Sequence, residues 1–127
     1  MNKRLLLCLL PALLAGCATM NEQECRSKTP ATVGLSDGRQ GYGVWRLDKH
    51  ADSCARFGIG FDRNAYLKAR AEGLLSYCTP DNGERAGARG ERYEYVCPAA
   101  LEPAFLARYR PAYRDWLAAQ HSRWWWP

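Results

Sequence analysis

Residues 62–78 read Asp62-Arg63-Asn64-Ala65-Tyr66-Leu67-Lys68-Ala69-Arg70-Ala71-Glu72-Gly73-Leu74-Leu75-Ser76-Tyr77-Cys78, and two stripes of helical spacing run through them. Leu67, Ala71, Leu74 and Cys78 recur at four, three and four; Tyr66, Arg70, Gly73 and Tyr77 form the neighbouring stripe. Asp62 is an N-cap residue, so the spacing predicts a helix from Arg63 to about Tyr77. Ala69 and Gly73 are small residues four apart, which predicts that another backbone comes close on that side. A matching small-residue stripe lies upstream at Gly34 and Gly38, and the two faces are expected to meet.

Working towards the N-terminus, Gly58 and Gly60 stop a helix read from Trp45 to Phe57, whose apolar stripe is Leu47, Ala51, Cys54 and Phe57. His50 and Asp52 fall beside that stripe. Thr29-Pro30 reads as an N-cap with proline at the first helical position, opening the helix that carries Val33, Gly34, Asp37 and Gly38. Gly41-Tyr42-Gly43 ends it. On the other side, Thr79-Pro80-Asp81-Asn82-Gly83, Gly87 and Gly90 read as dense turn chemistry. Arg92 to Val96 alternates as a short strand or extended arm, and Pro98 opens a last helix that Pro111 is expected to kink or divide. The expected fold is mainly α: a small helical domain with a Gly-rich, disulfide-closed loop or short hairpin between its last helices.

The first sixteen residues carry the parts of a secretory signal, with Lys3 and Arg4 ahead of an apolar run that ends in Leu14-Ala15-Gly16-Cys17. Pro11 interrupts that run, and its length of about 10 residues is half of what a spanning helix needs. The Leu-Ala-Gly-Cys order looks like a bacterial lipobox, with Cys17 acylated as the first mature residue. Two or more acyl chains give stable anchoring where one is marginal. The expected organisation is a cleaved signal at 1–16, a lipidated tether at 17–28, one helical domain at 29–120 and a Trp-rich tail at 121–127. Ala18, which is not acidic, points to the outer membrane facing the periplasm of a Gram-negative cell.

With Lys3 and Arg4 gone, 16 of the 18 basic residues face 13 acidic ones. That small, evenly mixed excess argues against a nucleic-acid surface. Removing Cys8 and acylating Cys17 leaves Cys25, Cys54, Cys78 and Cys97, an even set suited to two disulfides in an oxidising compartment. Three pairings are possible. Cys25–Cys54 with Cys78–Cys97 closes the shorter loops and is favoured, each bridge stabilising by about 3–4 kcal/mol. A metal reading rests only on His50 and Cys54 at i, i+4, with no C-x-x-C pair beside them, so no metal and no cofactor are expected.

Several blocks of the chain resemble a family of short bacterial lipoproteins known as domain of unknown function 2799. They are the lipobox, Glu24-Cys25, Gly34-x-x-Asp37-Gly38-x-x-Gly41, His50-x-x-x-Cys54, Asp62 with Tyr66-Leu67, and Arg70-x-x-Gly73-Leu74-x-x-Tyr77-Cys78. Asn82-Gly83, Gly87, Gly90, Tyr93 and Val96-Cys97-Pro98 complete the set. The resemblance covers roughly residues 13–110. The chain departs from it in lacking a tryptophan shortly before Gly34 and in having Ala69 where a glycine is usual. It implies a lipoprotein and no particular reaction.

Asp37, His50, Asp52 and Glu72 are the acid–base candidates, but no nucleophile motif or phosphate loop accompanies them, so no catalytic residue is assigned. Asp37, His50 and Arg70 are read as a ligand-binding set, Arg70 suiting an anionic lipid phosphate or peptidoglycan carboxylate. Trp124, Trp125 and Trp126 are read as a membrane or partner contact. The expected role is a non-catalytic, lipid-anchored envelope module that binds or scaffolds an envelope protein or peptidoglycan, without nucleic acid. The alternatives are a small periplasmic enzyme acting on peptidoglycan or lipid, and an inhibitor of an envelope enzyme.

Overall fold

Two tightly packed helix pairs organise the chain in the computed structural model, which describes residues 18–124. The helices are α1 (Glu22–Ser27), α2 (Pro30–Arg39), α3 (Arg46–Ala55), α4 (Arg63–Tyr77), α5 (Pro80–Ala88) and α6 (Glu102–Trp124). The mainly helical expectation holds, and α4 has the predicted bounds, with the Asp62 carboxylate accepting the Ala65 N–H at its start.

The first pair, α2 on α4, forms through the predicted glycine faces. A Cβ added to Gly34 would fall on the Tyr66 carbonyl oxygen, one on Gly38 on the Arg70 carbonyl oxygen, and one on Gly73 on the Leu35 carbonyl oxygen. The backbones touch because no side chain stands between them.

The second pair, α5 on α6, repeats the glycine contacts of the first, with α5 one residue shorter at its start. Gly83 meets the Phe105 carbonyl oxygen and Gly87 that of Tyr109, as Gly34 and Gly38 meet those of Tyr66 and Arg70. Both first helices open with a Thr-Pro cap, Thr29 and Thr79 accepting the N–H of Thr32 and Asn82. Both close on a left-handed glycine, Gly41 (φ 70°) and Gly90 (φ 69°), with Tyr42 N–H and Glu91 N–H donating back to the carbonyls of Asp37 and Ala86. The glycines lie against the Tyr77 and Trp116 rings, each eleven residues after its Tyr66 or Phe105. The domain is therefore an internal repeat. Its first copy carries the insertion α3 between the paired helices.

The core has two buried clusters, one around Met20, Val33, Leu47 and Tyr66, the other around Phe105 and Tyr109 with Leu74 and Tyr77 of α4 packed into it. Each cluster contains one disulfide: Cys25–Cys54 (Cα–Cα 5.5 Å) and Cys78–Cys97 (5.6 Å), the favoured pairing. Alkylating the unreduced protein should label none of these four cysteines by mass. Four labels would overturn the disulfide framework.

Three local readings are corrected. Residues 79–83 begin a helix: Pro80 sits at its first position, where its missing N–H costs nothing, and the glycines serve packing against α6. The Cys78–Cys97 loop is thus disulfide-closed but holds α5, and among the described residues no hairpin forms at 92–96. Of the kink or division expected at Pro111, the division does not occur: α6 runs on through it. Pro111 and Ala107 are both exposed, so water reaches the carbonyl that proline leaves unpaired.

Candidate functional site

The insertion α3 brings its buried face, Leu47, His50, Ser53 and Cys54, against the first helix pair. His50 is therefore a core residue, 2% exposed, where the sequence suggested a position beside the apolar stripe. The Ala51/Phe57 side of α3 is not the buried one: Ala51 is half-buried and Phe57 is 38% exposed.

His50 meets Asp37 of α2. The Asp37 Oδ2 atom accepts from three donors: His50 Nε2 at 2.9 Å, the Tyr66 hydroxyl at 2.7 Å and Arg46 Nε at 3.1 Å. Burial raises the Asp37 pKa, but the hydrogen bonds from His50 and Tyr66 and the Arg46 charge outweigh it and hold the carboxyl below its usual range. Tyr66 shifts the other way, its hydroxyl pushed well up by burial and by the neighbouring carboxylate.

An ionised Asp37 only accepts, so His50 donates to it from Nε2. On the other side of the ring the Thr19 hydroxyl lies 2.8 Å from Nδ1, within hydrogen-bond distance. The Thr19 N–H donates to the Ser53 hydroxyl at 3.1 Å, and Ser53 donates to the Lys49 carbonyl at 2.7 Å. Carboxylate, imidazole and hydroxyl thus stand in the order of a hydrolase relay. The hydroxyl, however, belongs to the segment just after Cys17, and the same contacts clamp that segment down. Met20 beside it is 5% exposed, and an Asn21–Glu24 capping box starts α1.

The network borders a cleft of about 360 Å³ lined by Thr19, Lys28, Tyr42 and Arg46 as well as Asp37 and His50. The Arg46 guanidinium lies 4.2 Å from the centre of the Tyr42 ring. Arg70 is not in this cleft. It donates to the Tyr42 carbonyl at 2.6 Å on the far side of the loop, and among the described residues its buried Nε has no partner. Asp52 and Glu72 are exposed and apart from the network. Cys54 is bonded to Cys25, which removes it as a thiolate partner for His50 in any metal site. Cys17, Trp125 and Trp126 lie outside the described residues; Trp124 is the last residue of α6, and its side chain is likewise outside them.

Sequence reasoning paired Asp37 with His50 but missed Thr19, Arg46, Ser53 and Tyr66. The repeat identifies what is special here: Asp37 and Tyr66 correspond to Ala86 and Phe105 in the second copy, both fully apolar there. Helix packing alone needs neither the carboxylate nor the hydroxyl.

The sequence profile of a family described as "Protein of unknown function (DUF2799)" matches residues 31–114. That span contains the glycine–carbonyl contacts of both copies and the Asp37, Arg46, His50 and Tyr66 members of the network, but not Thr19. No curated protein and no solved structure matches the chain.

Proposed function

The chain belongs to the DUF2799 family, and we propose that it is a non-catalytic envelope module. It is lipid-anchored through Cys17, faces the periplasm from the outer membrane and binds another envelope component. The observation that carries this reading is the clamp on the residues following Cys17. Thr19 is gripped by His50 and Ser53, Met20 is buried, and Cys25 is bridged to Cys54. A lipid placed two residues ahead of a clamped position would hold the domain close to the bilayer in a restricted set of orientations. Among the described residues no helix is long and apolar enough to cross a membrane. In this reading attachment rests on acyl chains, of which two or more suffice.

The test is metabolic labelling with an alkyne fatty acid followed by fractionation. The parent protein should take the label and sediment with membranes, and Cys17→Ser should do neither. A parent protein that stays unlabelled sinks the anchored reading.

The relay order of Asp37, His50 and Thr19 supports one rival, a small enzyme acting on peptidoglycan or lipid. It requires Thr19 to leave the clamp and meet an acyl group. Labelling by a fluorophosphonate that disappears in Thr19→Val would establish it.

A further inference from the structure

The repeat brings its two post-helix loops together, residues 41–45 after Gly41 and 91–96 after Gly90. Their meeting point is held by Glu94, whose Oε2 accepts the Gly43 N–H at 3.1 Å and the Trp45 indole N–H at 2.8 Å. Trp45 is thereby fixed in orientation while 52% exposed. Across the same cleft, of about 390 Å³, stands Tyr95. Its backbone is left-handed (φ 55°), the only non-glycine residue so placed among the described residues, and it is 79% exposed. Its ring rests on Tyr93, 5.1 Å between centroids. An aromatic residue held in a strained conformation and pointed at water is a mark of a working surface.

We propose that this junction binds a pyranose ring of an envelope saccharide, laid against the Trp45 and Tyr95 faces. A pyranose has a C–H face that covers an aromatic plane and a rim of hydroxyls that need partners. Glu94 Oε1, without a partner among the described residues, accepts from hydroxyls, and the exposed Arg92 donates to hydroxyl or carboxylate oxygens. The cleft walls are Trp45, Arg92, Tyr93, Glu94 and Tyr95, with no aliphatic side chain to enclose an apolar peptide anchor. The Glu94 carboxylate opposes a lipid phosphate. The volume falls within the range of small-ligand sites. The choice of an envelope saccharide rests on the compartment proposed above; the geometry of the cleft does not.

Full-length mature protein in detergent micelles is titrated with N-acetylglucosamine oligomers, read by intrinsic fluorescence, and co-sedimented with peptidoglycan sacculi. Saturable binding is expected, weakened about tenfold or more by Trp45→Ala and by Tyr95→Gly. Tyr95→Gly suits the left-handed backbone and should melt no lower than the parent, separating lost binding from lost fold. Absence of saturation with both oligomers and sacculi overturns the proposal. So does binding unchanged in both variants. Membrane fractionation of the cells that supply the protein keeps the two readings apart. An anchored protein that binds no sugar sinks only the saccharide site, and a sugar-binding protein that never anchors sinks only the lipid-anchored reading.

Discussion

Gly38→Leu should leave no cooperatively folded protein, and Gly38→Ala should already lower stability by about 3 kcal/mol or more, at the upper end of overpacking costs. The reason is what a Cβ meets. At Gly38 the obstacle is the Arg70 carbonyl oxygen with the Gly73 Cα behind it, and neither is a flexible side-chain end that could swing away. Separating α2 from α4 to make room would open the face that also seats Gly34 on Tyr66. The repeat extends the prediction: Gly87→Ala, pressed on the Tyr109 carbonyl, should cost a comparable amount. Gly60→Ala, where a Cβ meets nothing within 4 Å, should change little and serves as the control. Thermal melts by circular dichroism check all four, and a Gly38→Leu protein melting like its parent would disprove the close backbone contact.

Asp37→Ala should destabilise by about 3–5 kcal/mol, the usual result of breaking a buried charged network on one side. It strands the His50 imidazole and the Tyr66 hydroxyl in the core and frees Arg46 from its partner. The second copy suggests the compensation. Adding Tyr66→Phe to Asp37→Ala recreates the Ala86/Phe105 pair and removes one stranded donor, so the double variant should be more stable than the sum of the singles by about 1 kcal/mol. Urea unfolding at neutral pH measures this, and strict additivity would show that the two groups do not act together. The pH dependence has a definite sign. Asp37 has a folded pKa below its ordinary 3.8, so its stabilisation is complete above that unfolded value and is lost as pH falls through the lower folded one. The gap between parent and Asp37→Asn should therefore be widest above about pH 4 and close below it.

What the sequence disclosed followed from signals that are local. Asp62 and the periodic run behind it mark α4, and glycines four apart mark faces that must touch. The helix α5 was hidden by the ambiguity of its residues. Pro80-Asp81-Asn82-Gly83 suits a turn as well as a helix start, and only the Phe105 and Tyr109 carbonyls opposite Gly83 and Gly87 decide the matter. The same Thr-Pro opening at residue 29 read correctly because Val33 followed it. His50 was misplaced for a different reason. Spacing allows Leu47 and Cys54 to share a face with either Ala51 or His50 and Ser53, and the polar choice becomes stable only when Asp37 and Thr19 supply partners from elsewhere in the chain. Arg70 looked like a ligand anchor from its tyrosine neighbours, yet those tyrosines face the core while the guanidinium turns to the Tyr42 carbonyl. Partnerships of this kind depend on tertiary placement, which periodicity does not encode.

The presence of one disulfide in each core cluster bears on how the protein matures. Along the chain the four core cysteines pair first with second and third with fourth. If the chain is exported N-terminus first, with Cys17 acylated as proposed above, each thiol meets its correct partner before any wrong one beyond it is exposed. Oxidation could then proceed vectorially, with the first bridge closed before Cys78 appears. Such a chain would have little need of an isomerase to unscramble it, because the order of emergence is already the order of pairing.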